Sequence, residues 1–365
     1  MNKTILFVVS FFVVFCLLAD RPLTAQLPGS DKPAEKAEVK KQEPKPTKVR
    51  LGDDEINVEE VRAKYYIGVE IGSETRRETF EGREVERKIS KKAYGQPNAG
   101  YFIKVENHLV EPVCEECESV DEEKSKFELY TTDGNKVFEN EFKGKRILEA
   151  VVLKTGVFMI KTASADNSVM SSVEQYEIYN NKGKLLHEFK NIKNFATSPQ
   201  VDYLLLLKKT GEDEVILEKL DLHGNLKILT KMLGTTWLQV QGISDNGFYF
   251  LITDVKEVAK TAPSGNKYRA MDIMYFGNDK LIRTKTLEAA GFSWSTLSQK
   301  GKYVIIVYSA DHAFKEITDG TRTYKIYSKF VERLKVIKAS SWETIHDGLK
   351  DEKLITEYKN ETINN

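Results

Sequence analysis

A charge excess of either sign is missing from this chain, in which 55 Lys and Arg side chains match 55 Asp and Glu. Recognition of nucleic acid or of an anionic membrane surface draws on a basic excess or a clustered basic stripe. The sequence offers neither. Histidine is scarce, and the five present, at 108, 187, 223, 312 and 346, share no metal-ligand spacing. The Asp-x-Asp-x-Asp-Gly spacing of a calcium loop is absent as well. It is missing even from Glu106 to Glu123, a stretch with eight acidic residues and no Lys or Arg that reads as a solvated loop. Gly291-Phe292-Ser293-Trp294-Ser295 approaches a nucleophile elbow, with Asp311-His312 downstream, but Ser295 stands where the second glycine belongs. An elbow also needs a strand-to-helix turn, and this region reads as strand on both sides. No catalytic residue and no cofactor is assigned.

What is present begins with a charged, apolar start. Lys3 supplies one positive charge, and Ile5 to Ala19 follow as fifteen residues in which only Ser10 is polar. A transmembrane helix wants about 20 apolar residues, whereas a secretory apolar region needs only about 7 to 15. Residues 1–25 are therefore expected to be a signal peptide cut after Ala25, and a membrane anchor formed by residues 5–19 is the alternative. Phe15 fills the position before Cys16 where a lipidation signal has a small residue, which argues against a lipid anchor. From 26 to 50, Pro28, Pro33, Pro44 and Pro46 are interleaved with Lys and Glu. Such a segment buries too little apolar area to offset its ordering entropy and is expected to be a disordered linker.

The remaining 51–365 carries a repeat of about 45 to 55 residues. Thr197-Ser198-Pro199-Gln200-Val201-Asp202-Tyr203-Leu204 aligns with Ile243-Ser244-Asp245-Asn246-Gly247-Phe248-Tyr249-Phe250 and with Leu297-Ser298-Gln299-Lys300-Gly301-Lys302-Tyr303-Val304. Weaker copies surround Gly100 and Gly156. Between the copies lie hairpins such as Tyr176 to Tyr179, a turn at Gly183, and Lys184 to Phe189. The apolar runs Leu204 to Leu207 and Val304 to Val307 are continuous rather than alternating, as in strands covered on both faces.

At these Ser-x-x-Gly-x-Tyr copies the chain resembles the WD-type and TolB-like β-propeller repeats, whose turn signature looks like Ser-Pro-Asp-Gly-[Lys/Arg]. The Gly-His and Trp-Asp dipeptides of true WD repeats are absent, and the resemblance covers about residues 95 to 310. It implies an all-β protein built as a β-propeller of about six four-stranded blades, with five or seven as neighbouring possibilities. A sixth blade is expected from Tyr65 to Ile71 and Val85 to Ile89 joined by Trp342 to Ile345, closing the ring with shared strands. The matching residues form turns, so no functional residue carries over.

Cys114 and Cys117 are the only cysteines left once Cys16 departs with the signal, and a local disulfide is the leading expectation in an oxidising compartment. Zinc held by Cys114, Cys117, His108 and Glu111 is the sharper alternative, and thiol-disulfide chemistry a further one. Trp237 and Trp294 each precede a repeat serine. They are expected to pack between blades, with a recognition surface around the central channel as the alternative role. The function expected from all this is an exported, extracytoplasmic and non-enzymatic propeller that binds a protein or cell-envelope partner. Nucleic acid is not an expected partner, and membrane contact is expected only through an uncleaved N-terminus. The competing reading is a propeller enzyme, a hydrolase or lyase acting on a glycan or ester near the channel.

Overall fold

The computed structural model describes residues 47–365 apart from 66, 81, 114–123, 165–173, 235–236, 262–266, 320–321 and 364–365. The side chains of 80, 83, 111, 112 and 311–330 also lie outside the description. The expected signal peptide, most of the expected linker, and Cys114 and Cys117 lie outside the described residues. Lys48 to Arg50, read from sequence as the end of the linker, belong instead to strand β1 (Lys48–Leu51), which pairs antiparallel with β2 (Asp54–Asn57). Alternating exposure along it, with Leu51 fully buried, explains why so short a strand was not legible. A short helix, α1 (Val58–Ala63), follows. Its N-cap is Asn57, whose Oδ1 accepts from the amides of Glu59 and Glu60.

Five antiparallel sheets come next in chain order. The first has five strands, β3 (Val69–Phe80), β4 (Arg83–Tyr94), β5 (Tyr101–Pro112), β6 (Lys124–Thr131) and β7 (Lys136–Lys143). The second holds β8 (Lys145–Val152), β9 (Phe158–Ser164), β10 (Glu174–Tyr179) and β11 (Leu185–Phe189). In the third lie β12 (Ile192–Thr197), β13 (Leu204–Lys209), β14 (Glu214–Leu220) and β15 (Leu226–Leu233). The fourth contains β16 (Gln239–Ile243), β17 (Tyr249–Thr261), β18 (Lys267–Gly277) and β19 (Lys280–Ala289). The fifth comprises β20 (Gly291–Leu297), β21 (Tyr303–Asp319), β22 (Arg322–Lys338) and β23 (Glu343–Leu349), and helix α2 (Glu352–Asn360) ends the described chain. With the β1–β2 hairpin there are six sheets, five of them blade-sized.

The shared-strand blade expected from sequence does not form. Val69 to Ile71 and Val85 to Ile89 run in β3 and β4 of the first sheet, while Glu343 to Ile345 pair with β22 in the fifth. Non-repeat elements cover the two end faces in its place. Leu51, Ile56, Val58 and Val61 pack with Val69, Ala93, Phe102 and Tyr130 on the first sheet, and Ile355 and Tyr358 of α2 pack with Ile305, Val307, Leu334 and Val336 on the fifth.

The continuous apolar runs have the cause read from the sequence. Alternate residues of a strand face opposite sides of its sheet, so Leu204 and Leu206 join the cluster shared with the second sheet while Leu205 and Leu207 join the one shared with the fourth. In β21, likewise, Val304 and Ile306 face the fourth sheet and Ile305 and Val307 face α2.

The repeat turn is built alike in three sheets. Ser198, Ser244 and Ser298 are buried, and each Oγ accepts the amide of the tyrosine five residues on, at 3.3, 2.9 and 2.9 Å. The serine amide donates back to that tyrosine's carbonyl at 2.9 to 3.1 Å. Gly247 and Gly301 hold φ of 68° and 75°, and Val201 occupies the same slot at φ 49°. Gly156 repeats the turn at φ 83° without the serine, whereas Gly100 does not have a positive φ.

The turns also bind one another. The amide of Lys154 donates to the Val201 carbonyl at 3.0 Å, that of Asp245 to Gln299 at 2.7 Å, and that of Gln299 to Lys359 of α2 at 2.9 Å. Pro199 stands at the corresponding position of the third sheet and has no N–H to give. There the Tyr203 hydroxyl donates to the Gly247 carbonyl at 2.7 Å.

A Cβ at Gly301 would lie 2.6 Å from Cδ2 of Tyr249, in a backbone region that disfavours side chains. Gly301→Val is therefore expected to lower unfolding stability by more than about 1 kcal/mol, read from urea titration. A midpoint equal to wild type would show that the turn is not strained by a side chain.

Candidate partner-binding face and inner cavity

Antiparallel order divides the connections between the two ends of the sheets. The serine turns and the outer-hairpin turns at Gly134, Gly183, Gly224 and Asn278-Asp279 lie at one end, and all are tight. The opposite end carries the β17–β18 and β21–β22 hairpins, whose strands run 13 and 11 residues and 17 and 17, against 6 and 7 in the third sheet's β13 and β14. Trp237, just before β16, is at this long-hairpin end.

The strand that opens each four-stranded sheet carries a register slip against its partner, between Ile147 and Glu149, Ile192 and Asn194, Val240 and Gly242, and Phe292 and Trp294. A bulge of this kind adds local twist and turns side chains aside from the regular alternation. Residues from these strands then meet. A cavity of about 370 Å³ is lined by Thr197 of β12, Gln241 and Gly242 of β16, and Thr296 of β20, together with Tyr65 and Gln96 from the N-terminal side. A second, of about 270 Å³, is lined by Glu149 of β8 and Lys193 and Asn194 of β12 and shares Tyr65, Gln96, Ala196 and Thr197 with the first. First strands of successive sheets thus gather around common space.

The fold is a β-propeller.

Amide side chains tie the propeller's blades together around this centre. Asn107 exchanges two hydrogen bonds with the backbone of Ile147, both 2.9 Å, and Asn194 Oδ1 accepts the Val240 amide at 3.0 Å. Gln96 Oε1 accepts the Val152 amide at 2.8 Å. Burial pushes the Glu149 carboxyl above its usual range, with Glu174 adding to this and Lys161 opposing it. The Tyr94 phenol, which donates to the Leu148 carbonyl at 3.2 Å, is pushed up to about 12, chiefly by burial and further by Glu149.

Between the fourth and fifth blades a groove of about 190 Å³ is lined by Trp237, Phe292, Trp294, Val255, Arg269 and Gln241. Trp237 is 58% exposed, while Trp294 packs against the apolar cluster of the last sheet. Trp294 thus packs with the last sheet's own cluster and α2 rather than between two blades, and Trp237 is largely open to solvent. In the sequence both tryptophans precede a repeat serine, with no sign that they share a groove.

Other candidates fall elsewhere. Ser293 lies within β20, not in an elbow, and its hydroxyl donates to the Glu332 carboxylate at 3.0 Å, which Lys350 also holds at 2.9 Å. The side chains of Asp311 and His312 are outside the description. His108 sits on β5 with Nε2 2.6 Å from Glu106 Oε1, and the side chain of Glu111, like Cys114 and Cys117, is outside the described residues. His187 contacts the Gly224 carbonyl at 2.8 Å and stacks on Phe189. His223 lies in the β14–β15 turn, and His346 is on β23 beside Tyr358. Among the described residues no cluster of His, Cys, Asp and Glu could hold a metal ion. Gln96, Glu149 and Lys193 were not anticipated: Gln96 lies in the turn between β4 and β5, and Glu149 and Lys193 are polar positions in the first strands β8 and β12.

No family model matches the chain, and no curated protein does either. Solved structures show likeness in fold. The β-propeller domain of the trilobed protease from Pyrococcus furiosus matches over 66% of this chain and 80% of that one, at 8% identity and TM-score 0.36. Pyrococcus horikoshii acylaminoacyl peptidase matches at 10% identity and TM-score 0.36, over 56% of this chain and 32% of its own. A putative TolB from Agrobacterium tumefaciens matches at 12% identity and TM-score 0.23, over 59% and 84%. This chain spans only about a third of the peptidase, and the fold assignment rests on the sheets themselves. No helix among the described residues is long and apolar enough to cross a membrane.

Replacing an exposed side chain away from core contacts usually changes stability by less than about 0.5 kcal/mol. Trp294→Ala is expected to cost more than about 1 kcal/mol through lost packing, and Trp237→Ala, at a side chain 58% exposed, to cost less than that. Denaturant titration of both variants checks the contrast, and equal losses would contradict the assigned environments.

Proposed function

We propose that this chain is an exported, non-enzymatic β-propeller that binds a protein or other cell-envelope partner at its long-hairpin end, with the Trp237–Trp294 groove as the anchor. The observation that carries this is the exposed Trp237 beside a groove of aromatic and polar side chains, on the end from which the hairpins project. Exposed tryptophan is costly to leave in water and is enriched at binding hot spots, where a large apolar ring with one N–H donor fills a partner's pocket. Arg269 adds a fixed charge at the same groove. Export is supported by the charged start and short apolar run, and the Pro-, Lys- and Glu-rich segment after it would give the propeller reach.

Affinity capture from an extract of the native cell envelope tests this reading with paired variants. Trp237→Ala should lose the captured partner by at least about tenfold. His223→Ala, on the tight-turn end, should retain it. Equal capture by both would place the interface elsewhere and overturn the assignment of the groove.

A further inference from the structure

Two buried hydroxyls line the groove between the fourth and fifth blades. Thr253 of β17 is 1% exposed and Ser295 of β20 is 4% exposed. Neither side chain has a hydrogen-bond partner among the described residues, yet neither oxygen is sealed from solvent. Buried hydroxyls are normally satisfied. The strand register sets one on each wall. Thr253 pairs with Ile273, on the face of the fourth sheet that packs against the fifth, and Ser295 pairs with Ile306, on the face of the fifth that packs against the fourth. Gln239 is the other partner of Thr253 and shares its face. Gln241 Nε2 donates to Gln239 Oε1 at 3.0 Å, which leaves Gln239 Nε2 as a donor and Gln241 Oε1 as an acceptor in the same lining.

Aromatic surface accompanies these polar groups. Trp237 is 58% exposed, and Phe292, partly buried against the cluster between the two sheets, lines the same groove. An apolar side chain from a protein partner would cover Thr253 and Ser295 without satisfying them, which is costly. A sugar ring meets both demands. Its C–H faces lie against aromatic rings, while each hydroxyl on its rim both donates and accepts. Among the described residues no carboxylate lines the groove, and Arg269, the charged residue that does, is exposed. The hydrogen-bonding groups deepest in the groove are therefore uncharged, as a neutral ligand requires.

We propose that this groove binds a neutral glycan, with a pyranose ring stacked on Trp237 and its hydroxyls bonded to Thr253, Ser295 and the Gln239–Gln241 pair. The inference rests on the reading of the groove as the anchor for a partner and names that partner's chemistry. The volume of about 190 Å³ lies below the roughly 300 Å³ at which drug-sized sites begin, which suits a single sugar ring rather than a longer buried stretch.

Isothermal titration of the full chain with cellotriose, chitotriose and mannotriose tests the proposal. At least one should bind saturably at millimolar concentration, and Trp237→Ala should weaken it by at least about tenfold. Thr253→Val and Ser295→Ala should each weaken it by about threefold or more without lowering the urea midpoint, because the hydroxyls they remove have no partner within the chain. Unaltered affinity in both hydroxyl variants would overturn the assignment, and if one of them does not fold the other decides. A trigalacturonate bound at least about tenfold more tightly than every neutral sugar would overturn the neutral class in favour of a site governed by Arg269. If no sugar binds while Trp237→Ala still loses the captured envelope partner, the glycan is overturned and the partner is a protein. If no sugar binds and Trp237→Ala keeps that partner, the groove itself is overturned as the interface.

Discussion

A four-stranded antiparallel sheet with apolar side chains on both faces has no stable surface in water until each face is covered. Every blade of this protein poses that problem, because Leu204 to Leu207 and Val304 to Val307 alternate between two clusters and bury every side chain. Neighbouring blades solve it for one another. At the ends the problem returns, and it is met by different elements. The β1–β2 hairpin and α1 cover the first sheet, and α2 covers the last. Repeat proteins commonly need such capping pieces, since a terminal repeat otherwise presents an apolar face to solvent.

The C-terminal helix does more than cover area. Glu361 ends it in a left-handed conformation, and its Oε1 accepts from Ser298 Oγ at 2.8 Å and from the Lys300 amide at 2.7 Å. Burial alone would raise this carboxyl, yet those bonds and Lys302 hold it below its ordinary value. Together with the bond from Gln299 to Lys359, this continues the turn-to-turn relay of the preceding blades. One end of the propeller is thereby knit from tight, mutually bonded turns. The other is released from that constraint and carries long hairpins and the exposed tryptophan. Rigidity at one end and variable loops at the other is a common division of labour in scaffolds that bind partners.

The repeat was legible because its turn needs particular residues: a hydroxyl to accept an amide at Ser198, Ser244 and Ser298, and a left-handed conformation three residues on. Val201 shows the limit of that signal, since a β-branched residue holds the glycine slot and only the shared register revealed it. The caps were not legible. They are not periodic, and Lys48 to Arg50 look like linker until Leu51 and Ile56 are seen to be buried. The inner cavity was hidden for a related reason, because Gln96 comes from the turn between β4 and β5 while Glu149 and Lys193 sit at the register slips of β8 and β12 in two other blades. The aromatic groove was half visible, as two tryptophans that each precede a repeat serine and whose environments differ.

Capping is the central claim, and hydrogen exchange in a chain ending at Lys350 tests it most directly. Without α2, Ile305, Val307, Leu334 and Val336 would face water, so amides of β21 and β22 should lose protection by about tenfold or more while those of the second and third sheets keep theirs. Unchanged protection throughout the fifth sheet would contradict the account, since it would show that the last blade's outer face does not depend on the helix.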